Sequence, residues 1–314
     1  MPSNKEKNFM SAVLYVNNNE NKITYFLEKL YCVLNDNFDK FEIICVNDGS
    51  IDESTEKIKK FVTQINNTIL SIVNMGTFQG GELSMNAGVD LSIGDFVFEF
   101  DDLNMDYPID TIMDVYFHSL KGFDIVSASP EFIKRKSSLL FYKVFNKYSH
   151  NTYKLKTESF RLLSRRAINR VHSISKTLPY RKAIYANCGL KIDTIEYKQA
   201  KIKNCKESSQ VNEFRKSMAI DSLILFTDVA YKISMGLTSL MAFFAILVGT
   251  YTITIYLSEN KPIAGWTTTM LFLSVGFFGV FLVSAIIIKY LSTLVDLVFK
   301  KQKYLIESIE KITK

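Results

Sequence analysis

The chain has 314 residues, 47% of them hydrophobic and 22% charged, which excludes a disordered tail protein and a small scaffold that needs staples. Its net charge of +6 is unevenly placed: eleven Lys and Arg between 131 and 170 stand against only Glu131 and Glu158, so the rest of the chain is net acidic. The mean hydropathy of +0.07 conceals two uncharged stretches, between Lys232 and Glu259 and between Lys261 and Lys289, each longer than the roughly 20 residues that cross a hydrocarbon core.

In chain order, short apolar runs alternate with helical periodicity. Strands are predicted over 9–16, 41–46, 69–73, 96–100 and 124–127, and helices over 22–34, 54–64, 81–91 and 107–119. This alternation predicts an α/β fold, a mostly parallel sheet with helices on both faces. Ligands of such sheets bind beyond the carboxyl ends of the strands. Three polar clusters fall there: Asn17-Asn18-Asn19-Glu20, Asn47-Asp48-Gly49-Ser50-Ile51-Asp52 and Asp101-Asp102-Leu103-Asn104-Met105-Asp106. Each could serve as turn and cap residues alone; three on one sheet edge predict a binding site.

Gly76 and Gly81 have the spacing of a phosphate-binding P-loop, but Glu82 and Leu83 stand where that loop needs Lys and Ser or Thr. No Gly-x-Gly-x-x-Gly follows the first strand, which removes a dinucleotide-binding domain. The cysteines Cys32, Cys45, Cys188 and Cys205 form no Cys-x-x-Cys pair, and His118, His150 and His172 have no helical ligand spacing; both sets read as packing or surface residues.

A helix over 137–148 interleaves Leu139, Leu140, Tyr142, Val144 and Phe145 with Lys143 and Lys147, as in a helix lying along an anionic membrane face. The basic segment suits phosphates or such a face better than nucleic acid. Membrane helices are predicted near 233–257 and 267–288, joined by a turn with Trp266 as an interfacial anchor, and the basic flanks predict that both termini face the cytosol. No secretory signal opens the sequence. The expected organisation is therefore an α/β core over 1–130, a basic membrane-interface region over 131–232, two spans within 233–290 and a cytosolic helix over 291–314.

Taken in order, Val46-Asn47-Asp48-Gly49-Ser50-Ile51-Asp52, Gln79-Gly80-Gly81, Gly94-Asp95, Phe160-Arg161-Leu162 and Gly265-Trp266-Thr267 before the second span resemble the family 2 polyprenyl-phosphate glycosyltransferases. The likeness is strongest to the bactoprenol glucosyltransferase branch, related to dolichol-phosphate mannose synthase. The resemblance implies a GT-A-type fold followed by a transmembrane hairpin. It implies an inverting transfer of a sugar from a nucleotide sugar, usually a UDP-sugar, to undecaprenyl phosphate at the cytosolic face of a bacterial membrane, for surface glycan assembly. It implies that Asn17, Glu20, Asp48, Gly80, Gly81 and Asp102 hold the donor, that Arg135 and Ser137 receive the lipid phosphate, and that Asp101 is the first acid of an Asp-x-Asp metal motif. Paired spans in the family imply self-association. Two further readings are open: a lipid-linked saccharide or other glycan as acceptor, and a non-catalytic subunit of a glycan assembly complex.

The chain departs from the family motif where Leu103 replaces the second metal Asp, Met105 the usual Gln and Ser159 an Asp. Strand alternation puts Asp101 and Asp102 on opposite faces, so the turn before Pro108 is expected to bring Asp106 back to share Mg²⁺ or Mn²⁺ with Asp101, hard oxygen ligands suiting such a cation. Asp101, Asp106 and Arg161 form the expected catalytic set.

Overall fold

The computed structural model describes residues 5–65, 69–132, 136–149, 153–174, 180–199, 209–227 and 306–312, with scattered positions between 229 and 294. The chain divides into two units, Met1–Ala219 with Gln302–Lys314, and Ile220–Lys301.

The first unit is built on one eight-stranded sheet. Its strands are β1 (Met10–Val16), β2 (Phe41–Asn47), β3 (Ile69–Met75), β4 (Phe96–Phe100), β5 (Ile125–Pro130), β6 (Phe160–Ser164), β7 (Ile192–Tyr197) and β8 (Ile306–Ile312). The helices are α1 (Ile23–Asn37), α2 (Ser54–Gln64), α3 (Gly81–Leu91), α4 (Thr111–Ser119), α5 (Lys136–Tyr148), α6 (Arg165–Ile174), α7 (Arg181–Asn187) and α8 (Ser209–Phe226). The strand order is β7-β5-β6-β4-β1-β2-β3-β8. β3, β2, β1 and β4 run parallel, β6 lies antiparallel between β4 and β5, and β8 is antiparallel to β3. The α/β fold with a mostly parallel sheet is thus the one the alternating pattern predicts.

All seven residues of β1 are buried, as a central parallel strand covered on both faces requires. In α1 the buried residues Ile23, Phe26, Leu27, Leu30 and Leu34 recur at helical spacing and join the core cluster with Phe98, Phe100, Phe160 and Leu162. On the other face α3 packs close because Gly88 has no side chain: a Cβ there would lie 2.4 Å from Val13 Cγ1 and 2.7 Å from Val46 Cγ2.

The helix expected over 291–314 is corrected at its end, where 306–312 form β8. The bare edge of β3 supplies the reason. Its backbone groups gain a partner from a segment rich in β-branched Ile, and Lys59 of α2 meets Glu310 at 2.6 Å while Asn74 Nδ2 donates to Ser308 Oγ at 2.9 Å. The helix expected from 107 begins instead at Thr111, because Tyr107 is buried in the core. The spans expected at 233–257 and 267–288 lie largely outside the described residues; among the described residues no helix is long and apolar enough to cross a membrane.

Candidate active site

The loops after β1 and β2 are tied to each other. Backbone N–H groups of Asn18, Asn19 and Glu20 donate to Ser50 Oγ, Ser54 Oγ and Asp52 Oδ2 at 3.1, 2.9 and 2.9 Å. In return Ile51 N donates to Asn18 Oδ1 at 3.0 Å and Glu53 N to Glu20 Oε2 at 3.2 Å. Asn17 Nδ2 donates to the Asp48 carbonyl at 2.7 Å. Asn17 and Glu20, expected to hold the donor, therefore spend these groups on shaping the loops.

Asp48 is fully buried, and its carboxylate organises the segment before α3. It accepts from Gln79 N at 2.8 Å, Gly80 N at 2.8 Å and Tyr15 Oη at 2.9 Å. Burial, and then the charge of Asp48, push the Tyr15 hydroxyl far above its ordinary pKa, so it stays protonated and donates to Asp48. Gly80 has φ 84° and ψ 160°, a region open essentially to glycine. A Cβ there would also strike the Phe214 ring of α8, at 2.1 to 2.8 Å, and Phe214 packs edge-on against Phe78 with centroids 5.7 Å apart. Gly80 is thus positioned by Asp48 against the Phe214 ring. Asp48 itself is placed to hold the loop from behind, which differs from the direct donor contact expected of it.

β4 carries the charged centre. Its alternation sends Phe98 and Phe100 to the core cluster and Glu99 to the opposite face, where Glu99 pairs in register with Arg161 of β6. Arg161 Nη1 donates to Glu99 Oε2 at 2.7 Å, Nη2 to Asp101 Oδ2 at 2.6 Å and Nε to Glu158 Oε2 at 3.0 Å. From α7, Arg181 Nη2 donates to Asp101 Oδ1 and Nε to Glu82 Oε2 at 2.9 Å. Its Nη1 stands 2.9 Å from Glu99 Oε1, an ion contact too poorly aligned for a hydrogen bond. Tyr185 Oη completes the Glu99 shell at 2.8 Å, and Lys182 Nζ lies 3.7 Å from Glu158. Both arginine side chains are 1% exposed and Glu99 0%, whereas Asp101 is 26% exposed. Asp101 is the acid through which this buried network faces outward. Burial by itself would raise its pKa, but the guanidiniums of Arg161 and Arg181 hold it well below the ordinary carboxylate range.

Of the expected catalytic set, Asp101 and Arg161 are in direct contact and Asp106 is engaged elsewhere. Asp106 accepts from Tyr197 Oη at 2.9 Å and Gln199 Nε2 at 2.7 Å. Asp102 is bonded by the backbone and side-chain amides of Asn104, whose Oδ1 accepts from Lys22 Nζ at 2.7 Å. Burial pushes the Asp102 pKa up. Leu103 is 4% exposed and belongs to the core. Arg135 lies outside the described residues; Ser137 falls in the first turn of α5, its side chain outside the described set.

These carboxylates do not fit a ready-made divalent-cation centre. Both Asp101 oxygens receive guanidinium N–H groups, both Asp106 oxygens receive neutral donors, and the motif's second acid is a buried leucine. Among the described residues no three His, Cys, Asp or Glu side chains gather to hold a metal. The shared site expected of Asp101 and Asp106 is thus not assembled. Turn geometry sends Asp106 toward the β7 end, where Tyr197 and Gln199 satisfy it.

Sequence reasoning missed Glu82, Glu99, Glu158, Arg181, Lys182 and Tyr185. One signal was available: an acid inside the apolar strand Phe96-Val97-Phe98-Glu99-Phe100 demands a buried cation. Its partners come from segments 62 and 82 residues away, which no local pattern announces.

The model of the glycosyl transferase family 2 matches residues 13–185, the span that contains every contact of this network. Among relatives, an uncharacterized glycosyltransferase of Synechocystis is 24% identical over 311 residues, covering 96% of this chain and 95% of its own. The bactoprenol glucosyl transferase of Shigella phage SfV is 26% identical over 245 residues, covering 76% and 78%. A solved mannosyltransferase from Pyrobaculum calidifontis, in complex with GDP-Man and Mn²⁺, is 14% identical with a TM-score of 0.47, covering 96% of this chain and 90% of that one. Because the family model takes in more than half of the chain, this protein belongs to glycosyl transferase family 2.

Proposed function

We propose that the protein is an inverting glycosyltransferase that moves a sugar from a nucleotide sugar, a UDP-sugar in this reading, to undecaprenyl phosphate at the cytosolic face of a bacterial membrane. The observation that carries it is Asp101, held by Arg161 and Arg181 at the carboxyl end of β4 and open to solvent beside the loops after β1 and β2. The bactoprenol glucosyl transferases among its relatives support the acceptor. So does α5, which carries Lys143 and Lys147 and exposes Leu139 and Leu140 at 46% and 64%. In the second unit Ile233, Phe243, Val280 and Ile287 are more than half exposed, as lipid-facing side chains would be.

The chemistry asks little proton transfer of the protein. An oxygen of the anionic acceptor phosphate bonds to the anomeric carbon as the bond from that carbon to the donor's β-phosphate oxygen breaks, and the nucleoside diphosphate departs. The protein's part is to orient the two phosphates and to offset the departing charge with fixed dipoles and cations. In this reading the cations nearest the donor loops are Lys22, which reaches the β4 loop through Asn104, and Arg215 of α8, whose charge is felt by Tyr15 and Asp102 although burial still holds both groups above their ordinary pKa.

The test is incubation of the purified full-length protein and undecaprenyl phosphate with a panel of radiolabelled UDP- and GDP-sugars, followed by lipid extraction. Label in the lipid phase from one donor is the expected result. Label only in a water-soluble or lipid-linked saccharide would move the acceptor to another glycan, and no label from any donor would reject the reading. For the membrane face, an Asn260→Cys variant should react with an impermeant thiol reagent outside the cell and a Ser3→Cys variant should not.

A further inference from the structure

Arg181 links the start of α3 to the end of β4. Its backbone N and its Nε both donate to Glu82 Oε2 at 2.9 Å. Glu82 sits in the first turn of α3, one residue past the Gly80-Gly81 pair that Asp48 holds. The other end of the same guanidinium reaches Glu99 and Asp101. Arg161 cannot make this bridge, because its acids are Glu99, Asp101 and Glu158, none of them on α3.

We infer that Arg181 is a positioning residue of the donor site, setting the separation between the Gly80–Glu82 segment and the Asp101 carboxylate. This rests on the donor-site reading of the previous subsection. A buried arginine among three acids is a costly way to hold a helix against a sheet, since apolar packing of similar volume is as stable or more so. What the fork supplies beyond packing is direction: Nε and Nη2, fixed in one plane, hydrogen-bond Glu82 and Asp101 at once while Nη1 stands beside Glu99, which the single ammonium of lysine cannot reproduce. The Asp101 carboxylate so fixed is also the most exposed member of the network, at 26%, so any drift in Arg181 is passed to the face where the donor phosphates would lie.

The experiment compares wild type, Arg181→Lys, Glu82→Gln and the double variant as full-length protein in nanodiscs. UDP and GDP affinity is measured by calorimetry, melting temperature by circular dichroism, and kcat and KM with the donor identified by the panel. Arg181→Lys keeps the charge and should fold, with nucleotide affinity and KM within about threefold of wild type and kcat lowered at least about 50-fold. Glu82→Gln should give a smaller loss of the same kind, and the double variant should lose no more than Arg181→Lys alone, because both act through one contact. Wild-type kcat in Arg181→Lys, strictly additive losses, or losses that only track the melting temperature would overturn the inference while leaving the function standing. A wild type that binds neither UDP nor GDP would remove the donor-site reading and this inference with it.

Discussion

Replacing Arg161 by Met tests whether the buried network holds β4 to β6 by charge. The substitution keeps the apolar stem and removes the cation, so Glu99, Asp101 and Glu158 lose hydrogen bonds of 2.7, 2.6 and 3.0 Å. Glu99 retains Tyr185 and Arg181, and Asp101 retains Arg181, but Glu158 is left with Lys182 at 3.7 Å. Four acids then face two bases in a region where Glu99 is fully buried. Removing one partner of a buried ion pair costs about 3–5 kcal/mol, and a unit of this size loses roughly 2–4 °C of melting temperature per kcal/mol, so a fall of about 10 °C is expected. Adding Glu99→Gln removes one of the stranded charges and should restore about 1–2 kcal/mol of that loss. Thermal unfolding of the purified protein followed by near-ultraviolet circular dichroism measures both. The Asp101 pKa is depressed in the fold, so its stabilising contribution is complete above the ordinary carboxylate pKa of about 3.9 and is lost as pH falls below that value; the gap between wild type and variant should therefore narrow below about pH 4. An Arg161→Met protein within about 1 kcal/mol of wild type at pH 7, or a gap that widens in acid, would refute the ion-pair account.

Gly80→Ala should destabilise the protein by about 1–3 kcal/mol from the backbone region alone, with more from the clash with Phe214; a Gly80→Ala/Phe214→Ala pair that is more stable than Gly80→Ala, read by urea titration, would confirm that the ring contributes. Asp101→Asn should lower transfer by about 100-fold, on the order of 2.7 kcal/mol of barrier, while Asp106→Asn should cost less than about tenfold, as a residue anchoring Tyr197 and Gln199; equal losses would restore Asp106 to the reacting centre. Transfer should persist in excess EDTA, because the Asp101 oxygens are occupied by guanidiniums; complete loss that Mn²⁺ reverses would contradict this placement of charge. In a Cys205→Ser background at pH 8, Ellman's reagent should modify exposed Cys32 and spare Cys188 and Cys45, whose thiol burial pushes up to about 12; rapid modification of Cys45 would contradict the burial of β2.

The parallel core was legible because its signals are local. Apolar runs of strand length, helical spacing of Ile23, Phe26, Leu27, Leu30 and Leu34, and polar clusters after β1, β2 and β4 each state their role within a few residues of sequence. The order of the motifs sufficed for the family. What a role inside the site requires is different, because it depends on which groups converge from distant segments. Asp48 has the sequence context of a ligand-facing acid, and only the approach of Gln79, Gly80 and Tyr15 turns it inward. Asp106 has the right charge and spacing for a second metal ligand, yet Tyr197 and Gln199, more than ninety residues later, claim it. The β8 segment, with isoleucines recurring every third residue, is expected as helix; the bare edge of β3 makes it a strand. Arg181 has no local mark at all. A guanidinium acquires its meaning from the acids around it, and Glu82, Glu99 and Asp101 meet it only once β4 and the start of α3 have been brought together in the folded sheet.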